Sequence, residues 1–370
     1  MRIAFAYKGR YWLREPRTLE LLAAQARAAG HQPALAYDPD LFGVSDNVLS
    51  LPRLNRLLFA PDLAARRAVA LNPSWVVLLE TISNGAWVED FLAALGRLRY
   101  KGRTAVIACR GHFAADCCLY GEPEKVFPDF LKALPHPPAS IKAEGLADLE
   151  ALPFPDHSLF AGCENFRASY MAYAGRGCSG NCSYCEEPFY RDLYGGGYGR
   201  RRSPGRVVAE LKEVKERFRT REITFKDPVL TSDKTWLKDF LALYRREIAL
   251  PFKCFGRPDV FDPETAAMLK AAGCYCVEFG LQTFNERIRG EVLRRPESLA
   301  AVEKAFAACD AAGLAYDADY IFGLPGESVA DHKEAALRFA GFRRLNRIKC
   351  HNLVYYKDMP ITAEAVKAGL

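Results

Sequence analysis

The sequence predicts an α/β protein in two parts, an open parallel sheet followed by a partial barrel of six β/α units. Three observations predict it. Strand and helix patterns alternate through residues 2–120, as in a parallel sheet covered by helices. Prolines then cluster without periodicity (Pro135, Pro137, Pro138, Pro153, Pro155), which marks a connector. From residue 166 the alternation resumes and runs through six strands.

In the first part, residues 2–7 read as a strand. Residues 18–29 carry Leu19, Leu22, Ala23 and Ala26 on one face and stop at Gly30, a helix with a glycine terminator. Strands follow at 33–37, 75–79, 104–108 and 117–120, with a helix over 87–98. Ligands of open parallel sheets sit beyond the carboxyl ends of the strands, so residues 8–12, 80–85, 110–113 and 121–124 share one rim.

The second part begins with an apolar run, Tyr170 to Ala174, and a Gly-Arg-Gly turn. Ser203 and Pro204 open a helix lined by Val207, Leu211, Val214 and Phe218. Strands at 222–225, 252–256, 274–280, 316–322 and 347–355 then alternate with helices at 233–246, 263–272, 299–312 and 329–342. Six units make a partial barrel whose catalytic groups lie at the carboxyl ends of its strands. Those ends carry Lys226-Asp227-Pro228, Arg257-Pro258-Asp259, Glu278 to Gln282, Gly323 to Glu327, and Tyr355-Tyr356.

Composition narrows the class. With 370 residues, half of them apolar, the chain can bury a substantial core, and neither disorder nor a fibrous class fits. Twelve cysteines with no leader-like start point to a reducing, cytoplasmic setting. No apolar run approaches the ~18 residues of a membrane span. The net charge of +6 is dispersed apart from Arg200-Arg201-Arg202, so nucleic acid is not an expected partner. The basic, glycine-rich stretch 191–206 reads as an exposed loop or as a contact for a phosphate or acidic substrate.

The most specific signal is Gly177-Cys178-Ser179-Gly180-Asn181-Cys182-Ser183-Tyr184-Cys185. Its Cys-x3-Cys-x2-Cys spacing lets three thiolates converge on a small volume, as a cubane iron–sulfur cluster requires, with one iron left open for a small molecule. A zinc knuckle is the alternative, but no Cys or His follows Cys185 closely enough to complete one. The remaining cysteines, Cys163 among them, form no second cluster pattern.

At these residues, with Tyr184 as the aromatic before the third cysteine, the chain resembles the radical S-adenosylmethionine (radical SAM) enzymes. Glu278-Phe279-Gly280-Leu281-Gln282-Thr283 and Asp319 to Glu327 resemble two further motifs of that family. The resemblance implies that Cys178, Cys182 and Cys185 hold a [4Fe–4S] cluster whose fourth iron is chelated by SAM. It implies that Asp227 and Glu278 accept hydrogen bonds from the SAM ammonium and ribose, that Arg257 pairs with its carboxylate, and that Tyr184, Gln282 and the backbone at Gly323 and Gly326 complete the site. Strand alternation adds Cys274 and Cys276 to the face of Glu278, as reactive thiols or as small apolar filler.

The first part resembles the Rossmann-like cobalamin-binding domain that precedes the barrel in one branch of this family. Gly111-His112 and Gly121-Glu122-Pro123-Glu124 stand where that branch has its Gly-Pro-His and Gly-Glu-Gly-Glu turns, and Glu80 lies on the same rim. The match is partial: no Asp-x-His-x-x-Gly is present, a motif this branch often lacks, and the stretch between His112 and Cys117 is shorter than usual. The implied organisation is a cobalamin-binding-like domain over 1–134, a linker over 135–165 and a radical SAM partial barrel over 166–370. The implied activity is reductive SAM cleavage and hydrogen abstraction from a substrate carbon, completed by cobalamin-dependent C-methylation of a small molecule or short peptide, with flavodoxin or ferredoxin as electron donor. The alternatives are a cobalamin-free radical SAM oxidoreductase, mutase or lyase, and a non-catalytic iron–sulfur protein.

Overall fold

Every strand pair in both six-stranded sheets is parallel. The structure, a computed structural model, describes residues 1–9, 17–39, 51, 53–54, 57, 60–160, 169–218 and 220–370. Its contacts divide the chain into two compact units, one carried by the described residues up to 160 together with 193–195, the other by the rest from 169 onward.

The first unit contains β1 (Arg2–Gly9), α1 (Arg17–Ala28), β2 (Gln32–Pro39), α2 (Pro61–Ala70), β3 (Trp75–Leu79), α3 (Gly85–Arg97), β4 (Arg103–Ala108), β5 (Cys117–Tyr120), α4 (Pro123–Ala133) and β6 (Ser140–Lys142). The strand order is β2-β1-β3-β4-β5-β6, so the direction of winding reverses between β1 and β3. Alternation along β1 explains the layers. Ile3 and Phe5 pack with Leu19, Leu22 and Phe127 of α1 and α4, whereas Ala4 and Ala6 pack with Ala65, Val88 and Phe91 of α2 and α3. Both faces are therefore covered, as a parallel sheet requires.

Part of the proline-rich stretch carries structure of its own. Residues 140–142 pair in parallel with β5, and a 3-10 turn at His157–Phe160 buries Phe160. Asp156 donates its backbone N–H to the Glu20 carbonyl and takes an ion pair from Arg27 at 2.7 Å. Residues 161–165, with Cys163, lie outside the described residues, as do 10–12 of the first rim loop.

The second unit contains β7 (Ser169–Ala172), β8 (Gly175–Arg176), α5 (Glu186–Tyr194), β9 (Arg200–Arg201), α6 (Pro204–Phe218), β10 (Glu222–Phe225), α7 (Lys234–Glu247), β11 (Phe252–Gly256), α8 (Pro263–Ala271), β12 (Cys274–Gln282), α9 (Leu299–Ala312), β13 (Ala315–Phe322), α10 (Val329–Phe339), β14 (Leu345–Asn352) and α11 (Pro360–Lys367). Its sheet runs β7-β10-β11-β12-β13-β14, in chain order, and is the six-stranded partial barrel the alternation predicts. Asp233, Asp262, Ser298 and Ser328 cap α7, α8, α9 and α10 with their side chains. Tyr170, Phe225, Phe252, Val277, Phe279 and Tyr316 point to these helices and form one core. The residues between them face the inside of the barrel.

One expectation fails at β12. The pairing register with β11 slips between Phe252 and Lys253, so that Phe252 opposes Cys274 but Lys253 opposes Cys276. The extra residue reverses the alternation. Cys274 joins the apolar core, while Cys276 faces inward beside Asp317, where burial pushes its thiol up to about 12. Cys276 shares the face of Glu278, and Cys274 does not.

Candidate functional site

The cysteine loop leaves β8 at Gly177, whose φ is +85° and whose Cβ, if it had one, would lie 2.9 Å from the Cα of Gly199 and the carbonyl of Tyr198. Only glycine fits there. Three residues on, a Cβ placed on Gly180 would lie 3.4 Å from Cys178 Sγ, 3.8 Å from Cys182 Sγ and 3.9 Å from Arg257 Nη1. Two thiols and a guanidinium thus converge on a position kept clear of side chain. The Gly180 N–H points to Cys178 Sγ at 3.3 Å, and Cys185 closes the turn by donating its N–H to the Cys182 carbonyl at 3.2 Å.

This arrangement fits a cluster with three thiolate ligands. Burial pushes the Cys185 thiol up to about 12 and raises that of Cys182, and a bound metal would favour their thiolates. Among the described residues no three His, Cys, Asp or Glu side chains surround one ion. The thiolates of a cubane bind separate irons and share no single centre.

The loop is held by groups that its spacing does not reveal. Ser183 donates its N–H to the Leu293 carbonyl at 3.0 Å and its hydroxyl to the Val292 carbonyl at 2.6 Å. Arg191, on α5, donates to the Gly180 carbonyl at 2.9 Å and to Asn181 Oδ1 at 3.1 Å. Arg295 donates to the Tyr184 hydroxyl at 2.5 Å and pairs with the buried Glu297. Tyr184 is therefore a strut beneath the loop, and burial raises its pKa despite the nearby guanidinium. Arg191 and Arg295 were not among the candidates. The helical start directly after Cys185 is a signal for the first, and nothing in local spacing marks the second. Replacing Arg191 with Met is expected to speed cluster loss to a chelator by about tenfold, the low end for removing a second-sphere contact, as followed by visible absorbance.

The other expected residues of the barrel divide into two groups. Arg257 stands at the loop with Asp259 bonded to its Nε at 2.6 Å, and Gln282, its amide beside Gly280, has a left-handed φ of +70° and a buried Oε1 without a hydrogen-bond partner among the described residues. Gly323 has a φ of +81° with open space beside its Cα, and its carbonyl accepts from the Tyr355 hydroxyl. Gly326 also has a positive φ. Asp227 and Glu278 are already engaged. Asp227, buried, accepts the Ala174 N–H at 2.8 Å and fastens the chain before the cysteine loop. Glu278 lies deeper, its Oε2 bonded to Lys253 at 2.6 Å and Lys349 at 2.5 Å. Burial alone would raise its pKa, and the two ammonium groups outweigh that and lower it.

In the first unit the expected residues lie at the carboxyl ends of β3, β4 and β5. Glu80 accepts the backbone N–H groups of Cys109 and Arg110 at 2.7 and 3.0 Å, and Glu122 that of Ala147 at 2.6 Å, so both carboxylates shape the rim loops. His112, exposed, meets the Tyr120 hydroxyl at 2.9 Å, and Gly111 packs on Phe113. Gly121 has a φ of +130°, and its Cβ would lie 2.5 Å from the Ala143 carbonyl. Gly121→Ala is expected to destabilise the first unit by about 2–3 kcal/mol, measured by urea unfolding.

Residues 173–339 match the family model described as the Radical SAM superfamily. An uncharacterized methyltransferase of Pyrococcus horikoshii is 26% identical over 203 residues, covering 53% of this chain. The cytidylyl-2-hydroxyethylphosphonate methyltransferase of Streptomyces wedmorensis is 23% identical over 167 residues, covering 43%. The matches span only 42% and 30% of those two relatives. Among solved structures, TsrM from Kitasatospora setae, a radical SAM methyltransferase with cobalamin and a [4Fe–4S] cluster bound, superposes with a TM-score of 0.70 at 14% identity, covering 99% of this chain and 74% of that one. OxsB, a cobalamin-dependent SAM radical enzyme, superposes with a TM-score of 0.66 at 12% identity over 99% of this chain and 55% of its own. These likenesses establish the fold. No helix among the described residues is long and apolar enough to cross a membrane.

Proposed function

We propose that this chain, whose residues 173–339 form a radical SAM domain, is a cobalamin-dependent methyltransferase acting on carbon in a small molecule or short peptide. The observation that carries the reading is the convergence of Cys178, Cys182 and Arg257 on the bare Gly180 position at the carboxyl end of a parallel barrel. The methyltransferase names of both curated relatives support the choice of reaction, and the two superposed structures support a corrinoid partner.

When bound, the [4Fe–4S] cluster supplies the electron that cleaves SAM, and the corrinoid supplies the methyl group. The chain's own residues position the reactants. Cys178, Cys182 and Cys185 are the proposed cluster ligands, with Tyr184 and Arg295 bracing the loop. Arg257, oriented by Asp259, is the proposed partner of the SAM carboxylate, because a guanidinium fork matches two carboxylate oxygens. Gln282 Oε1 offers an unused acceptor to the ammonium or ribose, and Gly323 lets the backbone approach the nucleoside. Asp227 fixes the entry to the loop. In the first unit, Gly111, His112 and Gly121 are the proposed corrinoid contacts, on loops shaped by Glu80 and Glu122. A flavodoxin or ferredoxin is the proposed electron donor.

The test is a metal and corrinoid count on protein reconstituted without oxygen, followed by methyl transfer from labelled SAM. About four irons and one tightly held corrinoid per chain are expected, with label in the acceptor. A cobalamin-free radical SAM oxidoreductase, mutase or lyase is the second reading, favoured by the short stretch between His112 and Cys117. Four irons with SAM cleavage, but no corrinoid and no label transfer, would select it.

A further inference from the structure

Among the described residues, one lysine on the inner face of the barrel has no carboxylate partner. Phe225 points into the helical core, so Lys226, the next residue, points inward, and its Nζ lies 4.9 Å from the ring centroid of Phe255. Phe255 faces inward too, because its neighbour Cys254 belongs to the core. The other inward lysines and arginines of these strands have carboxylate partners: Lys253 with Glu278 and Asp317, Lys349 with Glu278, Arg347 with Asp317, and Arg257 with Asp259. Among the described residues Lys226 has none, and the face of Phe255 is the aromatic ring it meets.

An aromatic face stabilises an ammonium group but accepts none of its hydrogen bonds, so three donors remain available. Glu278, which stands opposite Phe255 in the pairing of β11 with β12, already neutralises Lys253 and Lys349, both bonded to one of its oxygens, and makes no ion pair with Lys226. The surroundings therefore favour an incoming anion.

We propose that Lys226 and Phe255 form a subsite for an anionic group of the methyl acceptor, a carboxylate or phosphoryl group on an apolar carbon that rests against the Phe255 ring. This rests on the radical SAM reading, which places the acceptor inside this barrel. The acceptor is then an acid.

Calorimetric titration of the full chain, reconstituted with its cluster, tests the proposal, with phenylacetate and phenylphosphonate as probes and phenylacetamide as the neutral isostere. At least one acid is expected to bind about tenfold more tightly than the amide, the effect of one charge-assisted hydrogen bond. The stronger of the two acids identifies the anion class. Lys226→Gln should abolish the preference and Lys226→Arg should keep it, each variant showing the wild-type circular dichroism spectrum. Equal binding of acid and amide, no binding of any probe, or a preference that survives Lys226→Gln would overturn the proposal. Acids that displace SAM would also overturn it, because Lys226 would then serve the SAM carboxylate. Titrations are run with and without SAM, so failure of the radical SAM reading appears separately, as absent iron and no SAM binding.

Discussion

Replacing Cys182 with Ala is expected to abolish the cluster and, with it, all SAM cleavage. Cys182 lies between the other two thiols in sequence, and its sulfur faces the same bare position as Cys178 Sγ. Two thiolates cannot hold a cubane that three support, and no His or Cys follows closely enough to substitute. The variant should bind few irons after reconstitution, lack the broad visible absorbance of the cluster and form no measurable 5′-deoxyadenosine. The surrounding fold should persist, because Ser183 and Tyr184 anchor the loop independently of the sulfur. Substrate conversion by Cys182→Ala would refute the radical mechanism.

Lys253→Met is expected to produce the largest loss of stability. The Lys253 ammonium is 2.6 Å from both Glu278 and Asp317, and both carboxylates are buried. Removing it leaves two carboxylates to share Lys349 and Arg347, and breaking a buried pair in this way costs about 3–5 kcal/mol. For a unit of this size that lowers the melting temperature by on the order of 10 °C. Adding Glu278→Gln should recover part of the loss by removing an uncompensated charge. A change below about 1 kcal/mol would mean that water, not Lys253, satisfies these carboxylates.

The same network sets a pH dependence. Burial would raise the pKa of Asp317, but Lys253 and Arg347 outweigh it and hold the group well below the carboxylate range, and Glu278 is lowered in the same way. A carboxylate with a depressed folded pKa contributes stability that is fully present above its unfolded value and is lost as pH falls through its folded value. Stability should therefore hold near neutrality and decline below about pH 4, the unfolded carboxylate value. Acid unfolding monitored by circular dichroism checks this, with Lys253→Met unfolding at higher pH.

Both parallel sheets, their strand order in the barrel and the cysteine loop were legible in the sequence because each depends on local pattern. Unbroken apolar runs and period-3.6 apolar spacing located strands such as Trp75–Leu79 and helices such as Leu299–Ala312 at their observed bounds. The short ribbon of β8 and β9 and the edge strand β6 carry no such periodicity, since they are held by long-range pairing.

Sequence by itself determined the three thiols and their loop, since ligand spacing is a property of neighbouring residues. Tertiary structure alone decided which charges are available. The family resemblance assigns Asp227 and Glu278 to SAM, and only the fold shows that Asp227 accepts the Ala174 N–H and that Glu278 pairs with two lysines from different strands. A one-residue slip between β11 and β12 separated Cys274 from Cys276, and only the fold set Lys226 against the Phe255 ring. Pairings between residues far apart in the chain depend on register and burial, and no local pattern encodes them.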